Sequence, residues 1–141
     1  MNNKNISNEI QILVNQFNAK NFDKVIEKGK LVLKKNPQYV ILYNLLGSAN
    51  QNEAKYADAE SYFRKGLKLD PKNLALQNNL AMAYKNQLKY DLAEKLYLKI
   101  INKNDKYINA FVNLGNLKRD LNKFEDAIVL YERAEIISDK N

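Results

Sequence analysis

Asparagine returns at a fixed interval in this chain. Asn44 and Asn78, Asn79 and Asn113, and Asn52 and Asn86 are each 34 residues apart. A carboxamide offers one acceptor oxygen and two N–H donors, so it can bond both halves of a peptide group in an extended chain, whatever side chains that chain carries. Lysine recurs at the same interval as Lys55, Lys89 and Lys123. Its chemistry there would be attraction of phosphate or acidic protein, weakened strongly by salt.

Covalent and metal chemistry has little to work with. The chain has no cysteine and no histidine, which removes disulfides, thiolate and imidazole ligands, cysteine nucleophiles and histidine acid–base catalysis. Ser7, Ser48, Ser61 and Ser138 are its serines; none stands beside an activating base or in a nucleophile elbow. Four glycines form neither a P-loop nor a dinucleotide fingerprint. The composition therefore predicts no enzyme activity, no metal and no organic cofactor.

The elements that position these side chains follow from the interval itself. Residues 43–71, 77–105 and 111–139 align without gaps at an offset of 34, and the register extends backwards. Four units result: 6–39, 40–73, 74–107 and 108–141. Numbering places within a unit, small residues hold place 8 (Gly47, Ala81, Gly115) and place 20 (Ala59, Ala93, Ala127). Large ones hold place 7 (Leu46, Leu80, Leu114), place 17 (Tyr56, Tyr90, Phe124) and place 24 (Phe63, Tyr97, Tyr131). Such alternation of bulk and hole predicts two antiparallel helices per unit, roughly at places 3–14 and 18–30, that approach closely where the side chains shrink. Gly115 is then a packing hole whose helix-propensity cost of about 1 kcal/mol is offset by close approach.

These places, with Pro37 and Pro71 at the unit ends, resemble the tetratricopeptide repeat (TPR) family over residues 6–141. The first unit departs furthest, with Leu13 and Val25 at small places and Gly29 at an aromatic one. The resemblance implies an all-α, right-handed solenoid of about eight helices in a single domain, 1–141. It also implies a concave groove lined by the first helix of each pair. The groove candidates are Asn44, Asn78, Asn79, Met82, Lys85, Asn86, Asn109, Asn113, Asn116 and Arg119. Asn79 and Asn113 are similar to an asparagine ladder in the TPR arrays of O-linked N-acetylglucosamine transferases, although Leu45 interrupts the row. The dicarboxylate clamp of chaperone-binding TPR domains fits poorly, because Ile10, Val14 and Ala75 occupy places that it needs polar or cationic.

Function follows from the same resemblance. The expected role is a non-catalytic scaffold that holds an extended peptide or protein segment in the groove. The alternative is the substrate-recruiting array of a larger transferase. Behind both stands RNA or another polyanion along a basic edge of Lys55, Lys89 and Lys123. The net charge of +7 is spread along the chain, so nucleic acid ranks below protein as partner. No stretch reads as a secretory signal or spanning helix, and a soluble, cytoplasmic protein without membrane contact is expected. In the last unit Val129 and Ile136 replace the polar Ser61 and Lys68 of the second, and Ile137 adds to them. This apolar face is expected to meet a following domain of a longer protein or a second copy in a homodimer.

Overall fold

The computed structural model describes residues 3–140. Among them the regular elements are helices: α1 (Asn3–Asn18), α2 (Phe22–Lys35), α3 (Val40–Asn52), α4 (Tyr56–Leu69), α5 (Leu74–Asn86), α6 (Tyr90–Lys103), α7 (Ile108–Asp120) and α8 (Phe124–Asp139). Each 34-residue unit holds two of them, starting within two residues of the expected places in every unit but the first, where α1 begins five residues early. The chain packs as two compact units that divide within α5, one ending at Leu76 and the other beginning at Gln77.

In the first unit α3 lies against both α2 and α4. Val25, Ile26 and Ala49 form a buried cluster with Phe17 and Phe22 packed on it, the two rings edge to face with each other at a centroid distance of 5.2 Å. The divergent first repeat is therefore well packed: Leu13 and Val25 are buried where later repeats use small residues. Gly47 makes room for its helix partner, since a Cβ on it would lie 2.3 Å from the Phe63 ring.

The second unit repeats this lock. A Cβ on Gly115 would lie 2.6 Å from the Tyr131 ring, so the glycine is the hole that the spacing predicts. Here α7 packs on α6 and α8. Phe111, Ala134 and Ile137 form a buried cluster, covered by Ile101, Ile108 and Leu130. Packing rather than capping holds these helices. The N-cap residues of α2, α3, α4, α6, α7 and α8 make no side-chain cap bond, whereas Asn73 Oδ1 accepts the Leu76 N–H at the start of α5.

The turn within each repeat follows one design. Lys20, Ala54, Leu88 and Asn122, all at place 15, have φ of 59°, 56°, 62° and 58°. Each N–H bonds three residues back, and the next N–H bonds five residues back, as in Ala54 to Gln51 and Lys55 to Asn50. This is the Schellman closure of a helix C-terminus. It consumes orphan carbonyls of α1, α3, α5 and α7 and sends the chain back for the second helix.

Candidate binding face on helices α5 and α7

Within the second unit, two side-chain ties join α5 to α7 and define a face. Asn113 Nδ2 donates to Asn78 Oδ1 at 3.2 Å. Two turns further along, Lys85 Nζ pairs with Asp120 Oδ2 at 2.8 Å. Around these ties Asn79, Met82 and Asn86 of α5 and Asn113 and Asn116 of α7 are half-buried, and Asn109 is exposed. The sequence-derived groove residues of this unit thus include a tied α5–α7 set. Asn44, half-buried on α3, belongs to the first unit.

The structure changes the role of three of them. Asn78 is buried rather than presented; its oxygen orients Asn113. Lys85 and Arg119 are not two open cations. Both bind Asp120, Arg119 through a 3.1 Å contact to Oδ1. The hydrogen bond from Lys85 is the main influence on the Asp120 carboxyl and, with that from Arg119, holds it below the usual carboxylate range against a smaller effect of burial. Asp120 stands at a groove place, the same as Asn86, but is not among the groove candidates named above. Its signal was an opposite charge one place after Lys85 in the following repeat.

Asn116 is fixed from behind, because Tyr131 Oη donates to its Oδ1 at 2.8 Å. The ring locked over Gly115 thereby reaches the candidate face. Lys118, on another side of α7, pairs with Glu94 of α6 and takes no part in the amide face.

Lys55, Lys89 and Lys123 are exposed, and each is the residue before a second helix of a pair. Their backbone N–H groups close the turns described above. Lys89 Nζ lies 5.8 Å from the Tyr84 ring centroid. First-turn acids accompany all three: Asp58, Asp91, and the pair Glu125 and Asp126. Each lysine thus sits in a mixed-charge neighbourhood rather than a purely basic one.

The apolar face expected on the last helix needs correction. Val129 and Ile136 are exposed, but Ile137 is buried beside Phe111 and Ala134. It is one place beyond Ile136, and a step of about 100° turns it into the core.

The helix pairs, the small-residue holes and the αL turns define a helical-repeat protein. The chain belongs to the tetratricopeptide repeat family, whose sequence profiles match residues 52–114 and 108–138. Among solved structures it is similar to MamA, with a TM-score of 0.81 at 18% identity, covering 96% of this chain and 80% of that one. A MamA from Desulfovibrio magneticus RS-1 gives a TM-score of 0.83 at 13% identity, covering 96% and 77%. PilF of Pseudomonas aeruginosa gives 0.81 at 20% identity, covering 96% of this chain and 62% of that one. No curated protein sequence matches the chain. At these identities the likeness is one of fold. Among the described residues no helix is long and apolar enough to cross a membrane, and no cluster of acidic side chains could hold a metal ion.

Proposed function

We propose that the protein is an interaction scaffold with no catalysis of its own, and that the α5–α7 face binds the backbone of an extended peptide. The family supports a protein-binding role, and the tied amide face supports this place for it. The observation that carries the reading is the bond from Asn113 to Asn78. It holds the Asn113 carboxamide in place at the cost of one of its two N–H donors, leaving its chemistry of donor and acceptor matched to a peptide group. Asp120 engages both Lys85 and Arg119 and cancels one of their two charges, which argues against a carboxylate clamp on this face.

The test starts from peptides selected on the chain from a random-sequence display library. Asn79→Ala/Asn113→Ala is expected to weaken them about tenfold, the loss of one or two hydrogen bonds. N-methylation of the peptide backbone should do the same, while most peptide side-chain changes do little. Unchanged affinity in the double variant, with helicity intact, would move the site elsewhere. A substrate-recruiting role within a larger transferase uses the same face and predicts the same result. Binding along Lys55, Lys89 and Lys123 predicts instead that RNA or another polyanion is held, and released by Lys→Glu changes at those three positions.

A further inference from the structure

Neighbouring repeats within each unit show which places face each other. A Cβ on Gly29 (place 24) would lie 2.9 Å from Leu46 (place 7 of the next repeat), and one on Gly66 (place 27) would lie 2.9 Å from Leu76 (place 3 of the next). Glu94 (place 21) pairs with Lys118 of the following repeat, and Ile101 (place 28) covers that repeat's buried cluster. The forward stacking stripe is thus places 21, 24, 27 and 28, and its receiver includes places 3 and 7.

On α8 this stripe is open at places 21 and 28, Ile128 and Glu135, while Tyr131 at place 24 is half-buried and Ala134 at place 27 is buried within its own repeat. Ile128, at place 21, is 55% exposed, and neighbouring Phe124, at place 17, is 53% exposed, whereas Tyr90 and Glu94 at the same places on α6 are half-buried. Val129 and Ile136 lie off the stripe, on a side that is exposed in every repeat: Ser61, Lys68, Lys95 and Asn102 hold their places.

The receiver on the first repeat is open as well. Place 7 is buried as Leu46, Leu80 and Leu114, at 0%, 6% and 1%, but Ile12 is 51% exposed. It lines a cavity of about 300 Å³ together with Leu13, Leu31, Val32, Lys28 and Lys35. Glu9 also lines this cavity and leaves lysine in the majority.

Charge selects between possible occupants. Helix α8 carries Glu125, Asp126, Glu132, Glu135 and Asp139 against Arg133 alone. Glu132, Glu135 and Asp139 follow Ile128 by 4, 7 and 11 residues, so they share its face. Helix α2 carries Lys24, Lys28, Lys30, Lys34 and Lys35 against Asp23 and Glu27. We propose that α8 of one copy docks on the α1–α2 face of a second, head to tail, with Ile128 and Phe124 covering the cavity at Ile12. Such a contact is heterologous and leaves one open face at each end of a pair. It involves none of the groups on the α5–α7 face, and stands or falls independently of peptide binding.

Sedimentation velocity over a concentration series into the high micromolar range tests this. The wild-type chain should associate reversibly, and added salt should weaken that association severalfold. Ile12→Lys and Ile128→Lys both lie at exposed sites and should each raise the dissociation constant about tenfold or more. Mixed in equal amounts, the two variants should form a 1:1 dimer, because each retains the face that the other lacks. A wild-type chain monomeric throughout would overturn the proposal. So would self-association abolished by Ile128→Lys but untouched by Ile12→Lys, which marks a symmetric α8–α8 contact. Failure of the two variants to pair would overturn it too.

Discussion

The second and fourth repeats contain the same lock and use it differently. In one, the Phe63 ring fills the notch over Gly47; in the other, the Tyr131 ring fills the notch over Gly115. Phe63 stops at packing. Tyr131 carries an additional hydroxyl that hydrogen-bonds Asn116 on the candidate binding face. The fourth repeat therefore couples core packing to the orientation of a surface amide, and the second, with Ser48 in place of that amide, does not. A repeated fold is free to let one copy's ring stop at packing while another's also orients a surface amide.

The largest effect should come from breaking both locks. Gly47→Ala and Gly115→Ala each push a methyl into an aromatic ring and should cost about 2–3 kcal/mol net of improved helix propensity. Because each lock lies inside one compact unit, hydrogen exchange should show protection lost mainly in the unit that carries the substitution. Gly47→Ala, with the closer approach, should be the more damaging.

The third repeat sharpens the comparison by supplying a tyrosine without a role for its hydroxyl. Tyr97 is fully buried, and its Oη has no hydrogen-bond partner among the described residues. Tyr97→Phe should therefore stabilise the protein by about 1–2 kcal/mol, while Tyr131→Phe should destabilise it by about 1 kcal/mol. Opposite signs from the same substitution at the same place are the outcome to look for in denaturant melts. Burial also pushes the Tyr97 hydroxyl well above the ordinary tyrosine range. The folded chain thus keeps a proton that the unfolded chain loses, and stability present below about pH 10 should fall as pH rises through that range. Tyr97→Phe should flatten that decline.

The smallest expected difference lies in the turns. Ala54→Gly should stabilise the second repeat by about 0.5–1 kcal/mol, since an alanine at φ 56° is held in a region that glycine enters without strain. Asn122→Gly should change little, because asparagine tolerates that region. Equal gains at both sites would show that entropy of the unfolded chain, not relief of strain, governs these positions.

Much of this architecture was legible because it repeats. Three aligned copies fix the helix pairs, the turn positions and the hole at Gly115 without reference to any single residue's propensity. The left-handed turns at Lys20, Ala54 and Leu88 were not legible, since no glycine or asparagine marks them; tertiary packing imposes what local chemistry does not advertise. The candidate binding face was half legible. Periodicity located Asn79, Asn113 and Asn116 on first helices, but the burial of Asn78 and the capture of Lys85 by Asp120 depend on side-chain reach between helices. Ile137 was misplaced for a related reason: an apolar residue beside an exposed one on a helix need not share its face.

The junction at Gly29 has a consequence for how such a chain can change over generations. Its notch receives Leu46 from the next repeat, and leucine holds that same place again as Leu80 and Leu114. Any of the three later repeats could follow the first and still fill the notch. Because the period is 34 residues without gaps, recombination between two repeats deletes or duplicates a whole unit wherever the crossover falls. The gene can therefore lengthen or shorten by one repeat while this junction keeps its fit, and the residues on the proposed binding face remain free to diverge copy by copy.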